Sequence, residues 1–264
     1  MSFRSKLASR IQSAGTRLCV GLDVRATDAG PGTKDLLLRI IEETAPFAAA
    51  FKPNSAYFEA LGWRGMRLLE EVLATVPEST PIVLDVKRGD IGETQTYYAK
   101  ACFDQLRADA VTLNPYMGSD TLEPFLAREG KGIYLLGVTS NPGASDIELQ
   151  PLADAGRRVF ELAAAMTSAS PEVGLVVGLT NAAGILDRIP DVPLLIPGLG
   201  AQGGDLAALR GSTRSAPLLV NVSRGILQLQ PGETHAGKAA HWAAVIEEAL
   251  SAPSSPPATQ SPGL

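Results

Sequence analysis

The residues best placed to do chemistry are charged side chains that close apolar runs. In Asp85-Val86-Lys87-Arg88-Gly89-Asp90-Ile91-Gly92-Glu93-Thr94, Asp85 and Lys87 stand two apart at the end of a strand-like run. Residues two apart in a strand project to the same side, so a carboxylate and an ammonium share one face. Lys52, in Phe51-Lys52-Pro53-Asn54, closes the preceding apolar run. Lysines ending two adjacent apolar strands are uncommon, because ionised groups are rarely buried unless paired or put to use. Such a cluster can hold a cation where negative charge develops in a reaction. The competing reading is a solvated salt-bridge cap, which is what an arbitrary Asp-x-Lys usually is.

A second set of residues has the chemistry of an anion site. Pro197-Gly198-Leu199-Gly200-Ala201-Gln202-Gly203-Gly204-Asp205 follows one apolar run, and Asn221-Val222-Ser223-Arg224-Gly225 closes the next. Glycines such as Gly203 and Gly225 let backbone N–H groups approach an anion, and Arg224 offers a bidentate fork. Gly-rich turns often do no more than relieve backbone crowding. Their pairing with an arginine strengthens the assignment.

These residues need a scaffold, and the apolar runs supply one. Strand-like segments fall at 17–24, 48–52, 82–87, 110–114, 132–139, 173–179, 193–197 and 218–222. Helical periodicity lies between or after them, as at 92–106, 156–166 and 238–250. The runs are continuously apolar rather than alternating, which indicates strands covered on both faces, as in a parallel sheet. Eight such alternations predict an α/β fold, a closed (β/α)8 TIM barrel occupying residues 1–250 as a single domain. Asp23, Lys52, Asp85, Lys87, Asn114, Ser140 and Arg224 all sit at or just past the C-terminal ends of strands, the face where such barrels carry their sites. Loops after strands seven and eight commonly bind phosphate there. Phe3, Leu7 and Ile11 predict a short amphipathic helix against the body. Residues 251–264, with four Pro, Ser, Thr and Gln but no aromatic, predict a disordered tail.

Composition removes several classes of function. Net charge is −5, with 23 Lys plus Arg against 28 Asp plus Glu, which argues against a nucleic-acid binder. Any anionic ligand must be captured locally. Cys19 and Cys102 lie in apolar patterns and read as buried free thiols of a reducing compartment. No run is long enough to span a bilayer, so no membrane partner is expected. The basic, Ser-containing start is shared with transit peptides, but it lacks the apolar run of a secretory signal, and a cytoplasmic location is expected. His235 and His241 are six residues apart, end no strand and do not have the spacing of a helical metal pair. Neither a metal nor another cofactor is expected.

Asp85-Val86-Lys87-Arg88-Gly89-Asp90-Ile91 resembles the Asp-x-Lys-x-x-Asp-Ile signature of the orotidine 5′-phosphate decarboxylase family. The longer subgroup (type 2) is most similar, since Phe51-Lys52-Pro53-Asn54, Thr139-Ser140-Asn141-Pro142-Gly143-Ala144 and the two phosphate-site segments follow in order. The likeness covers residues 1–250. It implies decarboxylation of orotidine 5′-phosphate to uridine 5′-phosphate in pyrimidine synthesis. It also implies an alternating Lys52–Asp85–Lys87–Asp90 network with Lys87 as proton donor. Asp90 and Thr94 are then donated across the interface of a homodimer with shared sites. Gln202 and Arg224 hold the phosphate, Ser140 meets the pyrimidine edge, Asp23 binds a ribose hydroxyl and Asn114 lines the site. The layout suits the reaction, because losing carbon dioxide from an sp² ring carbon leaves a carbanion that no adjacent carbonyl delocalises, so a placed cation and proton source are needed. Two alternatives remain open. One is a magnesium-dependent sugar-phosphate decarboxylase or synthase on the same barrel, though these place an acidic residue where Lys52 stands. The other is a non-catalytic nucleotide-binding barrel.

Overall fold

Each of the eight apolar runs forms a parallel strand in a computed structural model, which describes residues 1–25, 29–153, 156–181, 184–199, 206–210 and 213–252. The chain runs α1 (Phe3–Ala14), β1 (Leu18–Gly21), α2 (Thr33–Thr44), β2 (Ala50–Lys52), α3 (Ser55–Glu59), α4 (Gly62–Leu73) and β3 (Val83–Arg88). It continues with α5 (Gly92–Ala99), β4 (Ala110–Leu113), α6 (Glu123–Leu126), β5 (Gly132–Val138), α7 (Val159–Met166) and β6 (Val173–Val177). It ends with β7 (Leu194–Ile196), β8 (Leu218–Val222), α8 (Arg224–Leu227) and α9 (His235–Ser251). The hydrogen-bonded strand order is β2-β1-β8-β7-β6-β5-β4-β3. β2 and β3 meet through the bridges Phe51↔Ile82 and Asn54↔Asp85, and the Asp85 N–H donates to the Pro53 carbonyl at 2.9 Å. These contacts bring the ring together as a (β/α)8 barrel.

Alternation along the strands divides the core into two layers. Leu84 and Val86 of β3 join a large outer cluster between the sheet and its helices. Val83, Cys19, Ala50, Ala110, Tyr134, Leu195 and Leu219 form a smaller inner cluster at the bottom of the barrel. Helix α1 plugs that end, as the Phe3–Leu7–Ile11 spacing predicts: Phe3 and Leu7 are buried, and Ile11 packs beside them. The Phe3 ring meets Tyr134 edge-on, with centroids 5.9 Å apart. Burying each of these two α1 side chains contributes about 1.5–3 kcal/mol. With the bottom filled, the inside of the barrel opens at the opposite end of the strands.

Several local expectations shift. The helix expected over 92–106 is α-helical to Ala99 and then widens into a π-turn at Lys100–Gln105. The helix expected from 156 begins at Val159, behind a bridge between Pro151 and Arg158. Cys19 and Cys102 are both buried free thiols, and burial pushes the Cys19 thiol up to about 12 and Cys102 to about 11. Among the described residues no helix is long and apolar enough to cross a membrane. Most of the tail expected to be disordered, residues 253–264, lies outside the described residues.

Candidate active site

The same alternation that sends Val83 into the inner core sends Asp85 and Lys87 toward the mouth above it. They line a cavity of about 390 Å³ together with Lys52 from β2, Thr112 from β4, Leu136 from β5, Val176 from β6, Leu195 from β7 and Asn221 from β8. The wall is therefore built from strand ends, which fixes its side chains more tightly than loops can. Asp23, Ser140 and Arg224 complete the rim from the segments after β1, β5 and β8. Six of the sequence-predicted residues are thus brought to one cavity.

At its centre two ammonium groups share one carboxylate. Lys52 Nζ lies 3.1 Å from Asp85 Oδ2, and Lys87 Nζ lies 2.6 Å from Asp85 Oδ1. The Lys52 side chain is 5% exposed and that of Lys87 48%, so the first is a fixed internal charge and the second reaches open space. Burial pushes the Asp85 carboxyl up, but the charges of Lys52 and Lys87 and the hydrogen bonds from Lys87 and Thr112 outweigh it. The net effect holds the carboxyl well below the usual carboxylate range. For Lys52, burial lowers the pKa, and attraction to Asp85 and Asp23 reverses that and raises it above the ordinary lysine value. The net effect on both groups favours the ionised pair. Counting these three groups alone, the centre carries one excess positive charge, and an anion in the cavity would meet it.

The backbone at this point is unusual. Lys87 has φ of 46°, a left-handed conformation that side chains with a Cβ seldom adopt. The register between β3 and β4 shifts here, from Leu84↔Val111 to Arg88↔Leu113, as in a β-bulge. Beyond it the chain passes Gly89, where an added Cβ would lie 3.0 Å from the Asn114 carbonyl oxygen. Glycine allows that close crossing, which the Asn114 N–H seals by donating to the Arg88 carbonyl at 2.8 Å. Sequence motifs do not single out Thr112, which lies inside the bulge. It is a lone hydroxyl at an inward position of a short apolar strand, and that parity was the available signal.

The remaining predicted residues are placed elsewhere. Asp90 is half-buried and accepts the Ile91 N–H at 2.8 Å, and Thr94 is exposed in the first turn of α5. Neither is among the residues lining the cavity of its own chain. Asn114 is exposed, caps the next turn by accepting the Tyr116 N–H at 3.0 Å, and faces an adjoining apolar hollow. Gly225 has a packing reason to be glycine: a Cβ there would sit 2.8 Å from Trp242 Nε1. Its carbonyl accepts the indole N–H at 3.2 Å. Gln202 and Gly203 lie outside the described residues. His235 is buried with Nδ1 3.0 Å from the Ile226 carbonyl, a structural position away from the cavity.

Comparison with known proteins gives this geometry its context. Residues 16–239 match the orotidine 5′-phosphate decarboxylase / HUMPS family. The chain belongs to that family. An orotidine 5′-phosphate decarboxylase of Thermomicrobium roseum is 43% identical over 244 residues, covering 86% of this chain and 87% of its own. One from Herpetosiphon aurantiacus is 40% identical over 248 residues, covering 89% and 92%. The solved structure of Leishmania donovani OMP decarboxylase superposes with a TM-score of 0.84 at 37% identity, covering 95% of this chain and 99% of that one. Within this family, the Lys52–Asp85–Lys87 array stands where the barrel fold concentrates chemistry.

Proposed function

We propose that this protein is a carbon–carbon lyase that decarboxylates orotidine 5′-phosphate to uridine 5′-phosphate in pyrimidine synthesis. The observation that carries this reading is the Lys87 ammonium, presented to the cavity by Asp85 beside buried Lys52. As the carboxylate leaves as carbon dioxide, the electron pair of the broken bond stays on the ring carbon. The Lys87 charge stabilises that pair and its proton then quenches it; the neutral amine regains a proton from solvent. Asp85 and Lys52 hold the donor in place. Arg224, across the mouth, suits the phosphate, with Ser140 and Asp23 positioned for the base and the ribose. On this reading the enzyme is cytoplasmic.

The residues at the centre do not suit a divalent metal. A cation placed on Asp85 would meet two ammonium groups within hydrogen-bond distance of the same carboxylate. The test is loss of the pyrimidine carboxylate absorbance on incubation with orotidine 5′-phosphate, with and without EDTA. Turnover that survives chelation supports the proposal; turnover lost to EDTA and restored by magnesium overturns the metal-free reading, and no turnover overturns the function.

We also place Asp90 and Thr94 in the site of a second copy. What supports this is that neither lines its own cavity, while Ile91, Tyr97, Tyr116 and Met117 on the adjoining segments are large, exposed and apolar. A symmetric dimer packed through this surface covers them and adds a carboxylate to a centre with excess positive charge. Mixing Asp90→Ala with Lys87→Ala protein under subunit exchange tests it. A mixed dimer then has one site with both defects and one with neither. Activity should rise from near zero to about a quarter of wild type at equal, random mixing. No recovery, with exchange shown independently, means that Asp90 serves its own barrel.

A further inference from the structure

We infer that Thr112 is a positioning residue for Lys87, acting through the bulge that gives the lysine its backbone conformation. Three residues of β3 (Asp85, Val86 and Lys87) stand opposite the single residue Thr112 of β4, because the register steps from Leu84↔Val111 to Arg88↔Leu113. Such a bulge takes backbone N–H groups out of the strand ladder, and in a dry interior they need another acceptor. Thr112 Oγ1 is that acceptor: it receives the Val86 N–H at 3.0 Å and the Lys87 N–H at 2.9 Å. Its own proton goes to Asp85 Oδ1 at 2.8 Å. A hydroxyl has one hydrogen and two lone pairs, and here every one of them is used. Thr112 is 1% exposed, so its three bonds are made out of contact with bulk water.

The three bonds act on one object. Two hold the backbone of Val86 and Lys87 in the bulge, and so maintain the left-handed φ of Lys87 against its tendency to relax. The third orients the same carboxylate oxygen that lies 2.6 Å from Lys87 Nζ. Both ends of the Lys87 side chain, its Cα and its ammonium, are therefore referenced to one hydroxyl. The inference rests on the decarboxylase reading, in which the direction of that ammonium sets the rate.

Two substitutions separate the hydroxyl from the methyl. Thr112→Ser keeps all three hydrogen bonds and should stay within about threefold of wild-type kcat. Thr112→Val keeps the shape and loses the bonds; its kcat should fall about 10²-fold, the scale of a small misplacement of a reacting group. KM should change much less, because the phosphate and ribose contacts lie elsewhere. A valine variant within about threefold of wild type overturns the inference. So does a serine variant as impaired as the valine one, which would assign the effect to packing. If the valine protein does not fold, Thr112→Cys, with a similar volume and weaker hydrogen bonding, takes its place. It should lose kcat with KM held, and wild-type turnover in it overturns the inference too. Wild-type protein that fails to decarboxylate the substrate overturns the functional reading instead.

Discussion

Lys87→Ala should reduce turnover by about 10⁴-fold or more while leaving a folded protein. Removing a general acid costs about 10²–10⁴ in rate, and removing a placed charge at the developing anion costs about 10²–10³ more when the two losses do not overlap. The fold should survive for three reasons. The Lys87 side chain is 48% exposed, so truncation leaves little cavity. Asp85 retains Lys52 as its counter-ion. Alanine also carries a Cβ, as lysine does, so the left-handed φ at this position is no worse tolerated after the change. Circular dichroism and a melting curve close to wild type, together with near-zero loss of substrate absorbance, are the expected pair of results. A folded variant that keeps substantial activity removes Lys87 from the chemistry.

Asp85→Asn should lower both stability and activity strongly. It leaves the Lys52 ammonium buried with its closest counter-charge gone, and breaking a buried pair in this way costs about 3–5 kcal/mol. In a domain of this size that corresponds to a fall in Tm of about 10 °C. Activity should also drop about 10²-fold or more, because Lys87 loses its anchor. Adding Lys52→Met to the asparagine variant should restore much of the stability and none of the activity, since the stranded charge is removed but the array is not rebuilt. A single variant as stable as wild type shows that water reaches Lys52 freely. The pH dependence has a fixed sign. The folded Asp85 pKa is depressed, so its stabilisation is present above the unfolded carboxylate value of about 3.9 and is lost as pH falls through the folded value. The Lys52 pKa is raised, so its contribution is present below the unfolded lysine value of about 10.4 and is lost as pH rises through the folded one. The stability gap between wild type and Asp85→Asn should therefore be flat through neutral pH and close in acid.

The apolar patterning of the chain specifies which strands exist and which of their residues face inward. Continuous apolar runs with no solvent-facing alternation left a two-sided parallel sheet as the consistent solution, and 218–222 matches β8 residue for residue. Strand parity placed Asp85 and Lys87 on one face, and the fold's geometry put Lys52, Asp23, Ser140 and Arg224 at the same mouth. Strand ends were less legible: the run at 17–24 is a strand only over Leu18–Gly21, because apolar residues continue into the loop where they are equally buried. Relations between chain segments emerge only when the strands are packed together. The register step between β3 and β4, the left-handed φ of Lys87 and the capture of two N–H groups by Thr112 depend on which residue of one strand stands beside which of the other. A strand's own pattern is nearly silent about that, since alternation reports the face of a residue and not its partner. For the same reason the pattern of β3 alone does not say which barrel Asp90 and Thr94 serve, although the family resemblance assigns them to a partner's site and neither lines the cavity of its own chain. Their direction is set by the turn that the bulge launches, and a bulge is a mismatch between two strands that neither one encodes alone.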